Sequence, residues 1–128
     1  MPAEVTGTLL ALHRQLANTG VLYMFACGVW GLAMAWRKRP MDANYRGILA
    51  IGYVLGDVIG LLGVLLFLAG ARPADPLHVL YGLLAALTLP AAAVYLQDKP
   101  DARKPLVYGL VSLFLVGVLI RGIITAAR

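Results

Sequence analysis

Gly47-Ile48-Leu49-Ala50-Ile51-Gly52-Tyr53-Val54-Leu55-Gly56-Asp57-Val58-Ile59-Gly60-Leu61-Leu62-Gly63-Val64-Leu65-Leu66-Phe67-Leu68-Ala69-Gly70-Ala71 runs between Arg46 and Arg72 with a single charge, Asp57. A helix over this stretch exceeds the ~20 apolar residues needed to cross a ~30 Å hydrocarbon core. Val5–Trp36, Pro76–Leu96 and Pro105–Ala126 read the same way. In a chain of 128 residues that is 61% hydrophobic and only 13% charged, four such stretches leave little for a soluble domain. The expected fold is therefore all-α and integral to the membrane. It is a four-transmembrane-helix up-down bundle, one membrane domain over residues 1–128, with spans at about 5–36, 47–71, 76–96 and 105–126.

The connections are short and punctuated by proline. Pro40 follows a basic cluster, Arg72-Pro73-Ala74-Asp75-Pro76 separates the second span from the third, and Pro100 and Pro105 bracket the last turn. Such turns join antiparallel neighbours. Asp75 followed by Pro76 reads as a helix start. Pro90 is expected to kink the third span.

The net charge of +5 does not point to nucleic acid, because the cations gather in two turns. Arg37, Lys38, Arg39 and Arg46 lie in one, and Lys99, Arg103 and Lys104 in the other. Arg14, Arg72 and the terminal Arg128 lie on the opposite side. By the positive-inside rule both basic turns are cytoplasmic and both termini outside, in a bacterial cytoplasmic (inner) membrane. The N-terminus lacks a basic n-region, so no cleaved signal peptide is expected. The one cysteine, Cys27, cannot form an internal disulfide, and the absence of Cys-x-x-Cys-His excludes covalent haem attachment.

Small residues crowd the second span, with Gly52-x3-Gly56-x3-Gly60 at one-turn spacing. They suit close helix contact within the bundle or in a homodimer, and they also leave room for a flat macrocycle. A weak internal repeat is visible. Leu12-His13 matches Leu77-His78, and Arg46, Leu49, Gly52, Val54, Gly60 and Leu62 match Arg103, Leu106, Gly109, Val111, Gly117 and Leu119. The halves run in the same direction, which implies a pseudo-twofold along the membrane normal.

That symmetry makes His13 and His78, the only histidines, equivalent. At ~1.5 Å per residue, His13 lies ~36 Å from Arg37 and His78 ~28 Å from Gln97, so both fall near the outer boundary of the hydrocarbon layer. With neighbouring helices ~8–10 Å apart, the diagonal between the first and third is ~11–14 Å. That span is too wide for the imidazoles to touch and suits two ligands approaching one iron from opposite sides. Zinc or copper would lack further ligands, since no Cys, His and carboxylate cluster has metal spacing. Arg14, Arg72 and Arg121 lie at similar depth. All three suit interfacial anchoring, and Arg121, deep in the fourth span, equally suits pairing with a haem propionate.

Asp57 is a candidate proton or substrate group by its position within the membrane, or a neutral acid bonded to Tyr23, Thr88 or Ser112. Gln15, Asn18 and Thr19 are candidate supports for His13. Trp30, Trp36, Tyr45 and Tyr95 read as an aromatic belt.

Through Leu12-His13, Leu77-His78-Val79-Leu80-Tyr81-Gly82 and Arg121-x3-Thr125, the chain resembles small bacterial four-helix b-type cytochromes, and more loosely the membrane anchors of respiratory complexes. The resemblance implies one non-covalent haem b held by His13 and His78, exchanging electrons with quinol or a periplasmic partner. Two-haem relatives use two histidine pairs; with one pair, this chain lacks a complete wire across the membrane. A competing class is a small four-helix proton-coupled transporter. Small multidrug-resistance exporters place a glutamate inside the first helix, whereas here Glu4 precedes it and Asp57 is the mid-membrane acid. A third is a non-catalytic accessory subunit of a membrane complex. No nucleophile–base pair or phosphate loop of a self-contained enzyme is present.

Overall fold

The computed structural model describes residues 2–127, with the side chain of Ala127 left aside; Arg128, counted above among the outer charges, lies outside the described residues. Four helices follow one another: α1 (Ala3–Trp36), α2 (Ala43–Leu68), α3 (Leu77–Leu96) and α4 (Lys104–Ala127). Each is long and apolar enough to span a bilayer. The protein is a multi-pass membrane protein with an up-down bundle.

The helix ends follow local chemistry. Lys38, with φ 57°, turns α1 off in the left-handed conformation, and Arg39 N–H donates to Met34 O at 2.8 Å. Gly70, φ 96°, ends α2 in the same way, and Ala71 N–H donates to Leu66 O at 3.0 Å. At the start of α3 the Asp75 carboxylate accepts from Leu77 N–H at 2.9 Å. Pro90 lies within α3, which continues to Leu96.

The second span starts earlier than its apolar run suggests. Asp42 caps it by accepting from Tyr45 N–H at 2.8 Å, so Ala43–Arg46 is helix rather than turn. Tyr45 is consequently not in the aromatic belt. It is 0% exposed, and its hydroxyl donates to Cys27 O at 2.9 Å. Trp30, Trp36 and Tyr95 are exposed, as a belt requires.

Around the bundle the order is α1, α2, α3, α4, with α1 and α3 on one diagonal and α2 and α4 on the other. The α1–α4 seam is by far the tightest and α2–α3 the loosest. Glycines explain the first. A Cβ on Gly31 would lie 2.6 Å from Pro105 O and 2.8 Å from Gly109 Cα, and one on Gly109 would lie 2.9 Å from Leu32 N. Backbone meets backbone there, the small-residue contact favoured between helices in lipid. The core of Met24, Cys27, Met34, Tyr45, Leu49, Leu89 and Leu96 fills the half nearer the basic turns.

Candidate functional site

His13 reaches from α1 across to α2, where its Nδ1 lies 3.0 Å from Ile59 O. His78, one residue into α3, reaches across to α4, where its Nδ1 lies 2.7 Å from Gly122 O. Each histidine thus contacts the helix that follows its own, and the implied pseudo-twofold holds at this level. The register of α2 on α4 differs from the sequence match. Ile59 is equivalent to Gly122 by these bonds, whereas the aligned glycines would pair it with Val116.

The rings themselves meet in a T-shaped, edge-on arrangement with centroids 6.1 Å apart and planes at 74°. The helix diagonal is bridged by side chains, because imidazole reaches well beyond its backbone. The two rings therefore come closer than the spacing of the helices suggests. A carbonyl accepts only from N–H, so each Nδ1 carries a proton, and in the neutral form of either ring Nε2 holds the lone pair. Both rings are half-buried. On the α2 side, a Cβ at Gly63 would lie 3.2 Å from His13 Cε1, so glycine there lets the ring lie against the helix.

The structure brings the two histidines together but none of the three arginines between them. Arg72 folds onto the end of α2, donating to Phe67 O at 2.6 Å and Ala71 O at 3.0 Å, with its guanidinium 3.8 Å from the Phe67 ring centre. Arg121 is exposed and lies over Tyr81, 5.7 Å from the ring centre, with Nε 3.5 Å from the hydroxyl. Arg14, beside His13 in the chain, is exposed. Of the polar residues near His13, Thr19 Oγ1 donates to Gln15 O at 3.0 Å within its own helix and does not support the ring.

Asp57 is exposed on α2 and does not face the bundle interior. None of the partners offered for it is engaged with it. Tyr23 donates to Ile48 O, Thr88 to Leu84 O, and the buried Ser112 Oγ has no hydrogen-bond partner among the described residues.

The loose α2–α3 seam adjoins the histidines. Tyr53 Oη donates to Leu89 O at 3.0 Å, which fixes the side of α2 that faces α3. Gly56 and Gly60 follow Tyr53 at i+3 and i+7 on that side. Beside Gly56, Gly60 and Gly82 nothing lies within 4 Å of a would-be Cβ. A cavity of about 30 Å³, bordered by Gly20, Gly52, Gly56, Ile59, Ala85 and Leu119, lies between the helices on the basic side of the histidines. A larger one, about 220 Å³, opens at the basic end among Met41, Arg46, Leu49, Tyr53, Lys104 and Tyr108. Sequence reading passed over it, since its lining comes from two stretches far apart in the chain, 41–53 and 104–108. Lys104 is paired there with Asp101 at 3.1 Å.

Among the described residues no three His, Cys, Asp or Glu side chains gather into a metal-holding group. No known protein family, curated protein or solved structure matches the chain.

Proposed function

We propose that the protein is a b-type cytochrome of a bacterial cytoplasmic membrane, with one haem held between His13 and His78. The observation that carries this reading is the ring pair. A metal–nitrogen bond of about 2 Å plus about 1.2 Å from nitrogen to ring centre, taken twice, puts two imidazoles on one metal ~6.4 Å apart, close to the separation of the two rings. Each Nδ1–H is held by a backbone carbonyl, the usual orienting contact behind a metal-bound histidine. Two protein ligands fall short of the three or four that zinc or copper takes from side chains, and a porphyrin supplies four nitrogens of its own.

The macrocycle far exceeds the cavity beside the histidines. Its way in is the α2–α3 seam, where Gly56, Gly60 and Gly82 leave space. Haem supplies one-electron redox chemistry when bound. The chain supplies the rest. His13 and His78 fix the ring planes, Ile59 O and Gly122 O hold the tautomers, and the apolar bundle sets the dielectric. Arg14, next to His13, is the cation we assign to a propionate. The positive-inside bias puts this site toward the outer face, where quinol or a periplasmic protein exchanges electrons with it.

The test is an absorption spectrum of detergent-solubilised protein before and after adding hemin. A low-spin spectrum supports the reading; a preparation that stays colourless with hemin overturns it. The transporter alternative is weaker, because an exposed Asp57 lines no central path.

A further inference from the structure

We infer that Asp57 and Arg121 form an ion pair between neighbouring copies of this chain, which associate side by side and head-to-tail in the membrane. Both residues are charged groups within membrane-spanning helices, and both are exposed. Such groups ordinarily face the bundle interior or pair with one another. Neither forms an ion pair among the described residues: Asp57 has no partner, and Arg121 donates to the Tyr81 hydroxyl with the Asp75 carboxylate at longer range.

Their depths are within side-chain reach. Ile59 and Leu119 both pack against Gly20, within 3.5 Å of a Cβ placed there, so they mark one level. Asp57 is two residues before Ile59 and Arg121 two residues after Leu119 on parallel helices. Their backbones therefore differ in height by about 6 Å at the rise of four residues, a distance the arginine side chain spans. Their faces differ. Asp57 follows Tyr53 by one turn and sits on the α2–α3 side, while Arg121 lies over Tyr81 on the α3–α4 side. The two charges of one copy thus point out of different faces and leave each other unpaired.

A second copy in the same orientation supplies the missing charge within reach of the arginine side chain. Arg121 also has a glycine beside it: Gly117 is at i−4, nothing lies within 4 Å of a Cβ there, and glycine at such a position lets a neighbouring helix approach closely. Because the contact joins unlike faces, it is heterologous, and each copy engages two others, as a ring requires.

The test uses the full chain in proteoliposomes, with donor- and acceptor-labelled copies reporting association by energy transfer. Wild type is expected to associate. Asp57→Arg and Arg121→Asp should each weaken association at least tenfold while keeping wild-type helix content by circular dichroism. Mixing these two single variants restores opposite charges across the contact, and association should return, as it should in the Asp57→Arg/Arg121→Asp double variant. Wild type that stays monomeric at every protein-to-lipid ratio overturns the proposal. So does a folded single variant that associates like wild type, or a mixture that fails to recover. An assembly that stops at dimers also overturns it, since that marks a contact between like faces. None of these outcomes depends on haem.

Discussion

The α1–α4 and α2–α3 seams are related by the pseudo-twofold that equates His13 with His78, yet they are built in opposite ways. Across α1–α4, Gly28 and Gly31 lie against Gly109 and its neighbours until the backbones touch. Across α2–α3, Tyr53 donates to Leu89 O, and a Cβ placed at Gly56, Gly60 or Gly82 would meet no atom within 4 Å. The same residue type thus serves closure on one side and access on the other. The close glycine contacts at Gly28, Gly31 and Gly109 lie toward the basic turns, away from the two histidines, which sit toward the other end of the bundle. This division agrees with the general pattern in which binding elements come from the less stable parts of a fold.

The comparison breaks most visibly at Gly31. A valine there would meet Pro105 O and Gly109 Cα, which cannot move without shifting a helix. Gly31→Val should cost about 3 kcal/mol, the upper part of the range for overpacking. Unfolding in mixed micelles measures it. An unchanged midpoint would show that the seam is not the clamp described above.

A smaller effect is expected at Tyr45. Its buried hydroxyl donates to Cys27 O, so Tyr45→Phe should lose about 1 kcal/mol, a typical net hydrogen bond. The same micelle titration resolves it, and a gain in stability would contradict the assigned bond.

The smallest effect belongs to the open seam. Gly60→Ala and Gly82→Ala meet nothing within 4 Å and should change stability by less than about 0.5 kcal/mol. Leucine at either position should leave the fold intact and reduce hemin uptake several-fold. Equal uptake by Gly60→Leu and Gly82→Leu would sharpen the comparison by moving the point of entry elsewhere.

Much of this architecture was legible in the chain. Helix number and the up-down order follow from hydropathy and short turns, because a bilayer leaves few alternatives. The capping of α3 by Asp75 was legible for the same local reason. Contacts set by three dimensions were not. Tyr45 looks interfacial beside Arg46, but Asp42 extends α2 by a turn and buries the ring. The glycine run of the second span drew the eye, whereas Gly28, Gly31 and Gly109, farther apart in sequence, make the close contact. Asp57 gives no signal in sequence of which way it faces, since a one-residue change of phase turns a helical side chain by ~100°.

Haem ligation by both histidines is tested most directly by titrating hemin into wild type, His13→Ala, His78→Ala and the double variant, and following the low-spin spectrum. Wild type is expected to take up one equivalent per chain as a low-spin complex, each single variant to lose the low-spin form, and the double variant to take up none. A low-spin spectrum that survives in either single variant would contradict the pairing of His13 with His78.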